Sequence, residues 1–411
     1  MTELLLIADD LSGALEVAGT ALARTRNVVI ARSAQDGSQR SRVLVVDTDS
    51  REAPPAEAAR AAAAALAPAD WVVKKVDSLL RGNIAAELDA MRAAGRHVVF
   101  APALPALQRT VRQGRVHLDG TPLAESSLAG DYWRAATDDA RKVVRAPKAN
   151  LSLEQVRDGS EVVTRSLQDA FAAGAICVCD AETDADLDAI VAAAQDLPEP
   201  VRSRVVYAGS GALAAAVIRR IPGESQPGRA PAGSSRRDPD ARGTGTLIVS
   251  ASTAPVISQQ LARLGDQVRI ERVDPRTLLD PQQRAVAAGA ITARWDGHGL
   301  LAVVVDPDGE RLPERSAELA AALADIVADA AGRARRLVLL GGDTARRTLR
   351  RIGVHTLTPL VQAHYGAVIS TSPTGQRIAI RPGSYGDVTS LDTIISTLGR
   401  CIGPGQRSTD D

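Results

Sequence analysis

LLLIADDLSGALEVAG (residues 4–19) opens with an apolar run, turns on two adjacent carboxylates and continues as a helical pattern. A run too continuous to alternate reads as a strand buried on both faces, as in a parallel sheet covered by helices. The unit recurs. NVVIA (27–31) and VLVVD (43–47) read as strands, followed by a helix at about 55–67, the strand WVVKKV (71–76), a helix at 84–94 and the strand HVVFAP (97–102). Residues 103–160 are less regular and read as a functional insertion or flap. The alternation resumes with AICVCD (175–180), a helix at 184–195, VVYAG (205–209) and a helix at 211–220.

Residues 222–244, rich in Pro, Gly, Ser and Arg, read as a linker between a first domain (1–221) and a second (245–411). The second repeats the pattern: strand TLIVS (246–250), a helix after Pro255, LLAVVVD (300–306), a helix at 316–331, RLVLLGGD (336–343) with a helix behind it, strands near 366–370 and 376–381, and a last helix near 388–400. The expected fold class is α/β, two domains each with a mostly parallel sheet flanked by helices.

The chain has 411 residues and a formal net charge of zero, so no basic field points to nucleic acid or an anionic membrane. Aromatics are 2% of residues, which argues against base-stacking platforms. The N-terminus reads as having no signal peptide, and no run approaches a bilayer span, so a cytoplasmic protein is expected. Of three cysteines, Cys177 and Cys179 are expected in the core on opposite faces of a strand. Lysine occurs only at 74, 75, 142 and 148 in a chain that otherwise writes arginine, which singles out VVKKVDS.

Ligands of open α/β sheets sit beyond the carboxyl ends of strands, and seven polar clusters lie there. Asp9 and Asp10 follow the first strand, suited to holding hydroxyls, a metal or a proton, or to capping the next helix. DTDSR (47–51) offers Arg51 as a bidentate clamp for a carboxylate. KKVDSLLRGN (74–83) crowds Lys75, Asp77, Ser78, Leu79, Leu80, Arg81, Gly82 and Asn83 at a helix entry suited to an anion, with capping by Asn83 as the plain alternative. Gln108, Arg109, Thr110 and His117 could line a site. SASTAP offers Ser250 and Ser252 for phosphate, ribose or capping. LLGGDTARR brings Gly341, Gly342, Asp343 and Thr344 to a helix start. RPGSYGD offers Gly383, Ser384, Tyr385 and Gly386, with Asp387 as cap or contact.

No Walker-type loop, HExxH, paired CxxC or GxSxG motif is present. GSGALA (209–214) matches GxGxxA but lacks the acidic residue about 20 positions on that a dinucleotide site requires.

Taken in order, IADDLSGALEVAG, DTDSR, KKVDSLLRGNIAAELDA, APALPALQRTV with GTPLAES, VVYAGSGALA, VSASTAPV, VLLGGDTARR and RPGSYGD resemble the four-carbon acid sugar kinase family. The resemblance implies an N-terminal domain for a threonate-, erythronate- or 3-oxo-tetronate-type acid, a C-terminal domain for ATP, and an active site in the interdomain cleft. It implies substrate contacts at Asp10, Arg51 and Asp77–Arg81, and nucleotide contacts at Ser250, Gly341–Thr344 and Gly383–Gly386. Leu79 stands where the family favours Thr, and Arg381, Pro382 and Ser384 replace a Lys-Ser-Gly type run. The mechanism expected is transfer of the ATP phosphoryl group to a terminal hydroxyl, with Asp10 or Asp9 as base, Arg51 and Lys75 on the carboxylate, and Mg²⁺ with the 341–342 amides on the phosphates. No metal ligand is assigned from sequence, and a homo-oligomer is left open. The alternatives are an NAD-linked oxidoreductase using GSGALA and a catalytically silent kinase-like binding protein.

Overall fold

The computed structural model describes residues 2–37, 41–126, 137–224, 245–295, 297–364, 366–382 and 386–400. The chain divides into two compact units, Met1–Gly228 and Arg229–Asp411.

In the first unit the strands are β1 (Leu4–Ala8), β2 (Val28–Ala31), β3 (Val43–Asp47), β4 (Trp71–Lys75), β5 (His97–Ala101), β6 (Arg109–Arg112), β7 (Arg115–Leu118), β8 (Thr121–Pro122), β9 (Lys148–Leu151), β10 (Ile176–Cys179) and β11 (Val205–Gly209). Eight of them form one sheet in the order β2-β3-β1-β4-β11-β5-β10-β9, and every pairing in that order is parallel. All residues of β1, β3 and β11 are buried, as a sheet covered on both faces requires. One face packs Leu5, Ile7, Leu44, Val46 and Val72 against Ala62 and Met91 of the helices Pro55–Ala64 and Ile84–Ala93. Helices Leu11–Ala21 and Gly211–Arg220 pack on each other and on the same strands. Because β1 lies between β3 and β4, the chain departs to opposite sides from its carboxyl end, which opens the crevice where the polar loops converge.

The 103–160 stretch is only partly an insertion. β6, β7 and β8 make a small antiparallel sheet, but β9 joins the main sheet as its edge strand. Residues 127–136 lie outside the described residues. Cys177 and Cys179 are buried as expected, yet on one face, with sulfurs 3.8 Å apart. Residues two apart on a strand share a side, so the opposite-face expectation is corrected.

The second unit has β12 (Thr246–Ser250), β13 (Val268–Val273), β14 (Leu300–Val305), β15 (Arg336–Leu340), β16 (Thr356–His364), β17 (Ala367–Thr371) and β18 (Arg377–Arg381). The order β13-β14-β12-β15-β18 is parallel, and β17 and β16 extend it antiparallel. Ile248, Val338 and Ala379 pack on Ile257 and Leu261 of helix Pro255–Arg263 and on Leu391, Ile394 and Leu398 of helix Ser390–Arg400. β13 and β16 were not legible as strands. β13 (VRIERV) is an edge strand with only its end residues buried, and β16 carries Pro359 and shifts register twice against β17. Helices Pro275–Leu279 and Pro281–Arg294 were also unforeseen, the longer one burying only Ile291. Among the described residues no helix is long and apolar enough to cross a membrane.

Candidate active site

In the first unit three loops meet at the carboxyl ends of β1, β3 and β4. Asp10 caps helix Leu11–Ala21 by accepting from Gly13 N at 2.9 Å, so the capping role is real. Its other oxygen lies 2.9 Å from Arg51 Nη1. Asp9 accepts from Arg51 Nε and Nη2 at 2.8 and 2.7 Å. The guanidinium expected to clamp a substrate carboxylate is thus already shared by two aspartates. Burial pushes the Asp9 carboxyl up, but Arg51, Lys74 and Lys75 outweigh it and hold it below its ordinary value. The Asp9 side chain is 1% exposed and that of Asp10 14%, so only Asp10 has an oxygen that a small hydroxyl compound could reach.

The 74–83 segment is built from further buried pairs. Lys74 Nζ lies 3.0 Å from Glu87 Oε2, and Lys75 Nζ lies 3.3 Å from Glu16 Oε2. Burial lowers the Lys75 ammonium, but Glu16, with Asp10 and Asp77 adding to it, raises it overall. Asp77 closes the turn by accepting from Leu79 N, Arg81 N and the Arg81 side chain. Against the upward push of burial, Arg81 and then Arg51 hold Asp77 far below the usual carboxylate range. Leu79 and Leu80 are buried, and Leu80 adopts a left-handed φ of 58°.

Asn83 does not cap its helix. Its Nδ2 donates to Ser50 O at 2.9 Å and Ala53 O at 2.7 Å, tying the Arg51 loop to this turn. Ser50 Oγ in turn donates to Glu87 Oε1 at 2.8 Å. Glu87, Lys74, Glu16 and Ser50 were not assigned roles from sequence. The lysine bias pointed at Lys74, but a helical Glu looks like any solvated residue until the fold buries it.

In the second unit, Ser250, Ser252 and Thr344 meet beyond β12 and β15. Ser252 N donates to Ser250 Oγ, Ala254 N to Ser252 Oγ, and Ala251 N to Thr344 Oγ1 at 3.2 Å. Helix Pro255–Arg263 has no side-chain cap, so the serines shape the loop instead. Gly341 has φ 105°, a conformation for glycine, and helix Gly342–Arg351 starts there with no side-chain cap. Its leading amides suit an anion. Asp343 lies exposed in the first turn. Gly383, Ser384 and Tyr385 lie outside the described residues; Gly386 has φ 84°, and Asp387 accepts from Thr389 N just ahead of the last helix. Among the described residues no group of three or more His, Cys, Asp or Glu is placed to hold a metal ion.

The profile of a sugar-binding N-terminal domain matches residues 4–217, and that of a nucleotide-binding C-terminal domain matches 247–391. The chain is 32% identical to D-threonate kinase of Cupriavidus necator, over 94% of this chain and 96% of that protein. The chain belongs to the four-carbon acid sugar kinase family. A 3-oxo-tetronate kinase of Methylobacterium radiotolerans is 28% identical over 92% of this chain and 95% of that one. The fold matches that of a Salmonella typhimurium structure titled a putative tRNA synthase, with TM-score 0.76 and 19% identity over 96% of this chain and 98% of that one. Membership of a phosphotransferase family leaves the dinucleotide reading of GSGALA without support, and packing explains those glycines. A Cβ on Gly209 would strike Ala101 O and Leu213, and one on Gly211 would strike the Glu16 carboxylate.

Gly82 lets Asp9 and Arg51 approach its backbone closely. With φ 91°, an added Cβ would stand 3.1 Å from Asp9 Oδ2 and 3.4 Å from Arg51 Cγ. Gly82→Ala is expected to cost about 1–2 kcal/mol of strain and to lower kcat/KM at least roughly tenfold by displacing Arg51. Steady-state kinetics beside a thermal melt checks this, and turnover within about twofold of wild type would show that the contact is dispensable.

Proposed function

We propose that the protein transfers the γ-phosphoryl group of ATP to the terminal hydroxyl of a four-carbon sugar acid of the threonate, erythronate or 3-oxo-tetronate type, in the cytoplasm. The observation that carries this reading is that one chain matches both halves in order, sugar-binding over 4–217 and nucleotide-binding over 247–391. Residues 1–221 would hold the acid, 245–411 the nucleotide, with 222–244 joining them.

In this reading Asp10 accepts the proton of the attacking hydroxyl, and Asp9 holds Arg51 in place. Arg51, Lys75 and the turn Asp77–Asn83 surround the acid. Ser250, Ser252, the amides of Gly341–Thr344 and the segment 383–386 receive the nucleotide. Phosphoryl transfer asks mainly for positioning and charge neutralisation, which fixed amides and paired side chains supply. Mg²⁺ is commonly held by one or two carboxylates together with substrate phosphates. With no preformed cluster among the described residues, it would arrive with the triphosphate, and Asp343 is the carboxylate nearest the proposed phosphate turn in sequence.

The test is ADP release from Mg·ATP in the presence of D-threonate, D-erythronate or 3-oxo-tetronate, with product phosphorylation read by phosphorus NMR. Acid-dependent ADP release with a new phosphomonoester is expected. Binding of an acid without ADP release would make the protein a silent relative, and acid-dependent reduction of NAD without ATP would make it an oxidoreductase.

A further inference from the structure

Arg109 stands apart from the other cations around the 77–83 turn. Arg51 carries Asp9 and Asp10, Lys74 carries Glu87, Lys75 carries Glu16, and Arg81 carries Asp77. Four cations therefore face five carboxylates, so this inner set holds an excess of one negative charge. An incoming anion would be repelled by that set unless a further positive group met it.

Arg109 supplies such a group. It begins β6, is half-buried, and donates from Nη1 to Ser78 Oγ at 2.6 Å, within the same turn. Among the described residues no carboxylate pairs with it, and its Nε is buried without a partner. Its backbone is pinned on both sides: Leu104 N donates to Arg109 O, Arg109 N donates to Leu104 O, and Gln108 turns the chain with a left-handed φ of 52°. The loop after β5 thus aims a cation at the acid-sugar turn and gives it a neutral hydroxyl as its partner. A partly desolvated guanidinium without a counter-ion is a standing cost that a bound carboxylate would relieve, and the planar fork matches that group.

We propose that Arg109 binds the carboxylate of the substrate and is the residue that selects a sugar acid over the neutral polyol of the same length. This rests on the reading of the first unit as the acid-sugar site. Ser78 orients the guanidinium, and Arg51, neutralised by its two aspartates, serves the hydroxyl end.

Binding of the acid that the wild-type protein holds best is measured by calorimetry on the full chain for wild type, Arg109→Gln and Arg109→Lys, with threitol and erythritol as uncharged probes, and melting curves confirm that each variant is folded. Arg109→Gln is expected to weaken acid binding roughly 10- to 100-fold, the range of a charge-assisted hydrogen-bond pair, while leaving polyol binding within about twofold. Arg109→Lys is expected to recover part of the loss. In turnover the change should fall on KM for the acid, with kcat and KM for ATP nearly constant. Acid binding within about twofold of wild type in Arg109→Gln overturns the proposal, as does an equal loss for acids and polyols. If Arg109→Gln does not fold, Arg109→Lys is the test: a severalfold loss of acid binding with polyol binding unchanged supports the proposal, because a point charge replaces the planar fork, and unchanged acid binding or an equal loss of both ligands overturns it. A wild type that binds an acid through Arg109 but releases no ADP would sink the kinase reading and leave this one standing; a wild type that binds none of the acids overturns both.

Discussion

Asp10→Asn is expected to lower kcat by roughly 10²- to 10⁴-fold, the scale of a lost general base, while the melting temperature moves by only a few degrees. The two roles of Asp10 separate cleanly in this substitution. Asparagine caps helices about as well as aspartate, so the bond from Gly13 N survives. What disappears is the negative charge and proton affinity at the oxygen that faces Arg51 Nη1. Asp9→Asn is the contrasting variant. Asp9 is buried and holds Arg51 through two charge-assisted bonds, so breaking that pair should cost about 3–5 kcal/mol of stability and show first in the melt. The adjacent aspartates are thereby told apart by readout: turnover for Asp10, folding for Asp9. If Asp10→Asn keeps kcat within about threefold of wild type, Asp10 is a cap and an Arg51 partner and nothing more.

Much of this arrangement was legible before the structure because strand ends announce themselves. LLLIA followed by Asp-Asp predicts a buried parallel strand and a polar turn, and β1 is buried throughout and pairs parallel with its neighbours. Local rules also offered capping as an alternative for Asp10, and it caps. They failed where a side chain's partner lies far along the chain. Asn83 looks like a cap, but binds carbonyls at positions 50 and 53. Glu87 looks solvated, but neutralises Lys74 across the sheet–helix interface. Arg51 looks like an open clamp, but sequence spacing cannot reveal that both aspartates of the first loop close on it. The charge balance that sets Arg109 apart is visible only once every pair is known.

The same charge balance makes the Lys74–Glu87 pair a large stability determinant that point substitution should expose. Lys74 is wholly buried, and Glu87 is 1% exposed. Either group alone would be an uncompensated buried charge, so Lys74→Met and Glu87→Gln are each expected to cost about 3–5 kcal/mol. At about 2–4 °C per kcal/mol for a unit of this size, the melting temperature should fall by roughly 6–20 °C. The double variant Lys74→Met/Glu87→Gln removes both charges and keeps an acceptor for Ser50 Oγ, so it should recover a large part of the loss, a departure from additivity that a double-mutant cycle reads. Simple addition of the two single losses would mean that the ammonium and carboxylate are not held as a pair. The residual kinetic effect then isolates the role of geometry. Glu87 grips Ser50, Ser50 O is gripped by Asn83, and Arg51 is the next residue. A double variant that regains stability but still shows a raised KM for the acid would mean that the buried pair holds the Arg51 loop in register as well as holding the fold together.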